Sequence, residues 1–352
     1  MNRLTPIALC AMLTLSTQAC ADGEARQTSS ASIEQMSRDK LHHGKDGAFV
    51  NPWGNGGARG FFDLLKWRFS KNPYAEEKKK PVRFNVSVPD FARLEADGGN
   101  YAVWLGHSTV LIKINGKRIL TDPVFGGINL LLKRKTRFPI APEKLPAIDF
   151  VLISHGHYDH LNTASVKTLA ELFNPWFITG PGYDAYFGPI TDRHITLDWW
   201  ETHEADGVRI TSLPVQHWSK RGLFDTNAML WAGFMVDGNG ERYFWAGDTG
   251  YYRGFKEIGD KFGPFSAVFL PIGSYEPRWF MKENHLNPEE ALQAAVDLKA
   301  KTFIPIHWGT FDLTDEPLEL PIKRLKEVYG GTKEPGLMIL EHGGTWRPDG
   351  RP

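Results

Sequence analysis

Four side chains able to bind a metal ion fall within six residues, in His155-Gly156-His157-Tyr158-Asp159-His160, directly behind the apolar run 150–153. Imidazole and carboxylate groups both suit zinc, and a loop leaving a strand can turn all four toward one point. The chain has 12 histidines, so three of them in six residues beside an aspartate set this loop apart from an ordinary polar one. Three further candidates each sit just past an expected strand: His217 in "LPVQHWSK", Asp248 in "FWAGDTGYY" and His307 in "IPIHWGTF". Four ligands could close one site, whereas this larger set implies two metals sharing a ligand. A carboxylate is the natural shared ligand, because each oxygen can take a different ion. Asp248 fits best, since the glycines around it permit close approach. The resulting assignment puts His155, His157, His217 and Asp248 on one metal, and Asp159, His160, Asp248 and His307 on the other.

Two divalent ions ~3.5–4 Å apart lower the pKa of a bridging water toward neutrality. They also offset charge growing on a carbonyl or phosphoryl oxygen, so hydrolysis is the expected reaction class, with Asp159 and Asp248 at its centre. A purely structural zinc site is the competing reading. Such sites are four-coordinate and often rich in cysteine, but both cysteines, Cys10 and Cys20, lie at the N-terminus.

The elements that must position these groups alternate short β-type runs with turns. "YAVWLGHSTVLIKINGKRILTDP" reads as three strands, with a hairpin turn at Asn115-Gly116, where both central residues need positive φ. "FVLIS", "VRITSLPV", "MLWAGFMV", "RYFWAG", "AVFLPI" and "TFIPIHWG" read as strands, with a turn at Asp237-Gly238. "TASVKTLAEL" reads as a helix. Asn287-Pro288-Glu289-Glu290 opens another, with Asn at the N-cap, Pro at N1 and Glu at N3. Many strands with few, separated helices predict an α+β protein of two packed sheets with helices outside.

The chain has 352 residues, 41 acidic and 41 basic, and is 41% hydrophobic. That suits one large domain or two small ones, and zero net charge argues against nucleic-acid binding. No apolar run reaches the ~18 residues needed to span a membrane. Arg3, the apolar stretch 4–15 and Ala19-Cys20-Ala21 read as a signal peptide over 1–21. Export to the periplasm or envelope is therefore expected. Lipidation of Cys20 is the less favoured processing, because Thr17-Gln18-Ala19 is a poor lipobox. Residues 22–40 read as a flexible linker, 41–80 as an extension packed on or beside the domain, and 81–346 as the catalytic domain.

At this point the motifs resemble a known family. H-x-H-x-D-H with later His, Asp and His is the pattern of the metallo-β-lactamase superfamily. "FVNPW", "WLGHSTV", "LTDPVF", "LDWWE", "QHWSKR", "KFGPF" and "PIGSYEPRWFMK" are similar to the N-acylphosphatidylethanolamine-hydrolysing phospholipase D family. The resemblance implies an αβ/βα sandwich of two mixed sheets with the metals at one edge. It also implies two Zn2+ per chain and phosphodiester hydrolysis yielding an N-acylethanolamine and phosphatidic acid. His285, in "MKENHLNPEE", is implied to position the phosphate or protonate the leaving group; its alternative role is a local loop hydrogen bond. Asn284 stands where the family carries a longer amide, which bears on substrate fit. The leader points to a bacterial envelope relative with a substrate of its own.

Other residues have two readings each. Asp122 in "LTDP" either takes the second N–H of a metal-binding histidine or caps the turn before Pro123. His107 faces the site edge or packs in a turn. Trp218, Tyr275, Trp279 and Phe280 line an acyl channel or fill the core. Arg278 and Lys220-Arg221 attract a phosphate or form solvated pairs. The run 61–69, "FFDLLKWRF", either lies as a basic amphipathic helix on an anionic membrane or docks on the catalytic domain. The partners expected are thus a phospholipid or other phosphodiester and a membrane surface, with room for a homodimer. A lactonase or β-lactamase-like hydrolase is the alternative activity on the same fold, and the Glu276–Lys282 segment with its downstream His favours the phosphodiesterase. A metal-bound envelope protein without catalysis is the third reading, and the full ligand set argues against it.

Overall fold

The computed structural model describes residues 31–330 and 334–351. The expected signal peptide, with both cysteines, lies outside the described residues. Helices α1 (Ile33–Arg38), α2 (Phe61–Phe69) and α3 (Phe91–Ala96) come first. Strands β1 (Tyr101–Gly106), β2 (Thr109–Ile114), β3 (Lys117–Thr121) and β4 (Phe150–Leu152) follow. Helix α4 (Thr163–Phe173), β5 (Trp176–Thr179), α5 (Asp184–Phe187) and β6 (His194–Thr196) complete the first half. The second half holds β7 (Thr202–Ala205), β8 (Val208–Leu213), β9 (Gly233–Gly238), β10 (Glu241–Trp245), α6 (Gly254–Phe262) and β11 (Ala267–Pro271). It continues with α7 (Arg278–Met281), α8 (Pro288–Asp297), β12 (Thr302–Ile306), α9 (Leu320–Tyr329), β13 (Gly336–Leu337) and β14 (Thr345–Trp346).

The strands form two seven-stranded sheets, ordered β14-β1-β2-β3-β4-β5-β6 and β13-β12-β11-β10-β9-β8-β7. Each sheet is mixed in the same way. Strands β1–β3 and β7–β10 are antiparallel meanders, while β3–β6 and β10–β13 run parallel. This is the two-sheet α+β sandwich that the strand pattern and the resemblance predict. Along β1, Ala102 and Trp104 join the core shared with the second sheet. Tyr101, Val103 and Leu105 join a second core with Phe91 of α3 and Val166 and Leu169 of α4. Burial on both faces explains why the strand sequences read as nearly unbroken apolar runs.

Local chemistry sets the turns. Asn115 and Gly116 have φ of 47° and 79°, as their two-residue hairpin requires. The β9–β10 hairpin turns at Asn239-Gly240, with φ of 52° and 76°, and not at Asp237-Gly238. The two dipeptides compete for one turn, and pairing of Gly238 with Glu241 keeps Asp237 in the strand. There its carboxylate takes Arg242 at 2.7 Å. Asn287 and Glu290 form the expected capping box on α8.

Part of the expected linker is ordered. Ser32 caps α1, and Ile33 and Met36 are buried in the main core. The backbone N–H of Ile33 donates to Glu257 at 2.6 Å. Only two apolar residues in a polar stretch mark this helix, and they find their partners far along the chain. Downstream, Asp198 takes Lys40, His42 and His43 at 2.5, 2.7 and 2.8 Å, which latches the same segment to the β6–β7 link. Helix α2 buries no residue. It rests on the body of the protein through Trp67, which donates to Asp315 at 3.1 Å and packs on Phe280, while Phe61, Phe62 and Phe69 face solvent.

Removing a buried aliphatic side chain loses its transfer energy and leaves a cavity. Ile33→Ala is therefore expected to lower unfolding stability by about 2–4 kcal/mol, read from the midpoint of chemical denaturation. An unchanged midpoint would mean that α1 is not part of the core.

Candidate metal centre

The ligand-bearing strands all deliver their C-terminal ends to one edge of each sheet. Strands β1 and β3 are parallel to each other, because both are antiparallel to β2, and β4 is parallel to β3. His107, Asp122 and His155 follow these three strands. In the other sheet, β8 and β10 flank antiparallel β9, and β12 runs parallel to them through β11. His217, Asp248 and His307 follow these.

The two edges meet around two groups of atoms. His155 Nε2 lies 2.7 Å from His157 Nδ1, and His217 Nε2 lies 3.4 Å from the same atom. In the second group, His160 Nε2 is 3.1 Å from Asp248 Oδ2 and 3.5 Å from Asp159 Oδ2. His307 Nε2 is 3.1 Å from Asp248 Oδ1 and 4.0 Å from Asp159 Oδ2. Asp248 also reaches the first group, lying within 4.8 Å of a His217 nitrogen. The seven side chains singled out in the sequence thus come together, with Asp248 between the groups.

The residues fit metal ions. Buried polar atoms are normally hydrogen-bonded, yet His160 Nε2, His307 Nε2, Asp248 Oδ1 and His285 Nδ1 are buried without a hydrogen-bond partner. Two imidazole nitrogens 2.7 Å apart also need a shared proton or a cation between them. A nitrogen and oxygen donor set of this kind suits zinc and several other divalent ions.

Outer contacts fix which nitrogen each ring presents, the usual arrangement around a metal. His160 Nδ1 donates to Asp122 Oδ2 at 2.6 Å. Asp122 also accepts from the backbone N–H and the hydroxyl of Ser154 at 2.8 and 2.6 Å. The Ser154 hydroxyl in turn lies 2.9 Å from His155 Nδ1. His217 Nδ1 points at the Asn284 carbonyl at 3.0 Å, and His107 Nε2 at Asp159 Oδ2 at 3.0 Å. Ser154 carries no sequence signal of its own. His107, Asp122 and His307 hold left-handed φ of 55°, 31° and 63°, a strain that clusters at functional sites. Gly247 has φ of 62°, and a Cβ there would sit 2.4 Å from Ser154 Cβ.

Charge is distributed unevenly. Burial holds His155 and His217 well below the ordinary histidine range, and lowers His157 to about 4 and His107 to about 3. These rings are neutral at pH 7, with lone pairs available. Burial also disfavours charge on His160, but Asp248, Asp159 and Asp122 outweigh it and hold the ring well above its usual range. Asp159 and Asp248 are likewise opposed by burial, and His160 keeps both ionised.

The remaining candidates divide. Trp218 packs edge-on against His157, with centroids 4.5 Å apart. His285 Nδ1 is 3.8 Å from Asp248 Oδ2, and burial pulls its pKa down to about 4. Trp279 and Phe280 meet α2, with Lys66 over Trp279 and Phe280 on Trp67. Four residues are placed otherwise than the substrate reading expects. Tyr275 is fully buried, with the Arg324 guanidinium over its ring. Arg278 is bound by both oxygens of Glu290 at 2.9 and 2.8 Å and donates to the His285 carbonyl. Arg221 braces the ligand loop through Gly156 O, Leu161 O and Thr163 Oγ1. Asn284 is 3% exposed and spends its amide on the backbone of Gly57. The partners of all four are remote in sequence or locally polar, and no spacing rule reveals them. Lys220 is half-buried beside Arg221.

A mixed two-sheet sandwich with this His and Asp cluster on one edge is suited to metal-dependent chemistry. Residues 117–308 match the family described as beta-lactamase superfamily domain. The chain is 36% identical over 336 residues to N-acyl-phosphatidylethanolamine-hydrolyzing phospholipase D 1 of Caenorhabditis elegans, covering 86% of this chain and 92% of that protein. It is 37% identical over 248 residues to the mitochondrial N-acyl-phosphatidylethanolamine-hydrolyzing phospholipase D of Saccharomyces cerevisiae, covering 66% and 53%. The solved metallo hydrolase Igni18 of Ignicoccus hospitalis shares the fold, with TM-score 0.55 and 20% identity over 70% of this chain and 97% of that one. The chain belongs to the metallo-β-lactamase superfamily, as a metallo-hydrolase with N-acylphosphatidylethanolamine-hydrolysing phospholipases D among its relatives.

Asp248, Asp159 and Asp122 favour the protonated form of His160, and a cation at its Nε2 must displace that proton. Metal uptake at pH 7 is therefore expected to release protons, and affinity to rise with pH. Calorimetry in buffers of different ionisation enthalpy reads both. A pH-independent affinity with no proton release would contradict the charge state assigned to His160.

Proposed function

We propose that the protein is a binuclear zinc phosphodiesterase of the phospholipase D type, acting on N-acylphosphatidylethanolamine or a similar phospholipid. The observation that carries this reading is the Asp248 carboxylate, 3.1 Å from both His160 and His307 and in reach of His217. The similarity to the nematode and yeast enzymes supports the substrate class. His155, His157, His217 and Asp248 would hold one ion, and Asp159, His160, Asp248 and His307 the other. Bound there, the ions would supply a water acidified toward neutral pH and positive charge for the phosphoryl oxygen.

The chain's own groups do the rest. His107 fixes the orientation of Asp159, and Asp122 with Ser154 fixes His160 and His155. His285 stands beside Asp248 with Nδ1 unpartnered. A phosphodiester anion near that ring favours its protonated form, which lets it donate the proton to the departing N-acylethanolamine oxygen. Trp218 forms an apolar wall against His157. Membrane contact is read through α2, where exposed Phe61, Phe62 and Phe69 accompany Lys66 and Arg68. Action at the cell envelope is part of this proposal and rests only on reading residues 1–21 as a signal peptide.

The mature protein with zinc, assayed by mass spectrometry on N-acylphosphatidylethanolamine and on a lactone panel, is expected to release N-acylethanolamine. Asp248→Asn and His155→Ala are each expected to reduce that release by roughly three orders of magnitude. Brisk lactone hydrolysis without phospholipid turnover would overturn the reading in favour of a carboxyl-directed hydrolase.

A further inference from the structure

Residues 51–59, ahead of the sandwich, make polar contacts on the loop carrying His217 and on the stretch 280–284 that leads to His285, and Asn51 Oδ1 also accepts from Trp231 Nε1 at 3.1 Å. Asn51 Nδ2 donates to the His217 carbonyl at 2.9 Å. Trp53 Nε1 donates to Gln216 Oε1 at 2.9 Å, and the same amide donates onward to the Glu283 carbonyl at 2.8 Å. Gly57 and Asn284 exchange two hydrogen bonds, from Gly57 N to Asn284 Oδ1 at 3.0 Å and from Asn284 Nδ2 to Gly57 O at 2.9 Å. Arg59 Nε then takes the Phe280 carbonyl at 2.9 Å. The circuit closes where the Asn284 carbonyl meets His217 Nδ1 at 3.0 Å. Gly56 leaves no slack in it: with φ of 80°, a Cβ there would lie 2.7 Å from Asn51 Nδ2 and 2.8 Å from Gln216 Cγ.

We infer that residues 51–59 form an intramolecular strap, and that Asn51 and Asn284 are positioning residues for the metal centre. The carbonyl of Asn284 holds the proton of His217 on Nδ1 and so leaves Nε2 as the donor atom. That carbonyl is placed by the Asn284 side chain, whose amide pairs with Gly57 as a peptide group would. A longer amide at this position would carry its polar end one methylene further and could not keep both bonds in this backbone. The next residue is His285, so one residue sets the tautomer of a metal ligand and the position of the histidine beside Asp248. The N-terminal segment therefore completes the centre, which couples metal affinity to the placement of His285. The inference depends on the functional reading only in that a metal is held at this edge.

The test uses the full chain and the variants Asn284→Ala, Asn51→Ala and Trp53→Phe, the last removing one donor while keeping an aromatic ring in place. The readouts are the thermal midpoint of the metal-free protein, zinc affinity in competition with a chromogenic chelator, the visible spectrum after Co2+ loading, and kcat and KM at saturating zinc. Asn284→Ala and Asn51→Ala are expected to weaken zinc uptake about 10–100-fold and to change the Co2+ bands. At saturating zinc, Asn284→Ala is expected to lower kcat with KM unchanged, and Trp53→Phe to weaken zinc uptake to a smaller degree. A lowered midpoint with wild-type zinc affinity and an unaltered Co2+ spectrum would make the strap merely structural and overturn the inference. If Asn284→Ala or Asn51→Ala does not fold, wild-type zinc affinity and Co2+ spectrum in Trp53→Phe overturn it equally. Weaker zinc uptake in a protein that cleaves no phosphodiester would sink the proposed activity and leave the strap standing.

Discussion

The sheet edge is organised by an ion cluster taken out of water: Asp248 and Asp159 face His160, with Asp122 behind it. Burying charges is expensive, and their mutual attraction offsets that expense only where geometry and partners are good. Here the balance is incomplete. Asp248 Oδ1, His160 Nε2 and His307 Nε2 lack hydrogen bonds, and one imidazolium faces several carboxylates. A divalent cation held in each group would supply the missing positive charge and the missing contacts. The same arrangement that is unfavourable as a bare protein site would be favourable as a ligand set, and metal binding there would be coupled to folding at this edge.

The architecture follows from that need. A buried cluster requires rigid elements that reach it from several directions. Two mixed sheets provide them, because mutually parallel strands all end on one side. In each sheet an antiparallel meander is joined to a parallel extension, so β1, β3 and β4 on one side and β8, β10 and β12 on the other open toward the same edge. The loops that follow accept left-handed backbone at His107, Asp122 and His307. Packing on both faces of the first sheet holds that strain in place at His107 and Asp122.

Sequence reading and structure agree where chemistry is local. The ligand loop sits within six residues, Asn115-Gly116 carries its own turn preference, and Asn287 and Glu290 cap their helix three residues apart. They diverge where a side chain is claimed by a distant partner. Arg221 resembles a phosphate-binding group until Gly156 and Leu161, some sixty residues earlier, take its guanidinium. Arg278 is held by Glu290, Tyr275 lies under Arg324, and Asn284 is engaged by Gly57 across 227 residues. Helix α1 escapes notice for the same reason, since Ile33 and Met36 gain meaning only from the core they enter. Composition and spacing identify which groups can do chemistry, whereas long-range pairing decides which are free to do it.

The central claim is that Asp248 joins two metal ions into one unit. Electron paramagnetic resonance of the protein titrated with Mn2+ tests it without reference to any substrate. Two bound ions sharing a carboxylate are expected to give an exchange-coupled spectrum at two equivalents, and Asp248→Ala to abolish the coupling. Two uncoupled Mn2+ signals in the unaltered protein, or saturation at one ion per chain, would contradict the account.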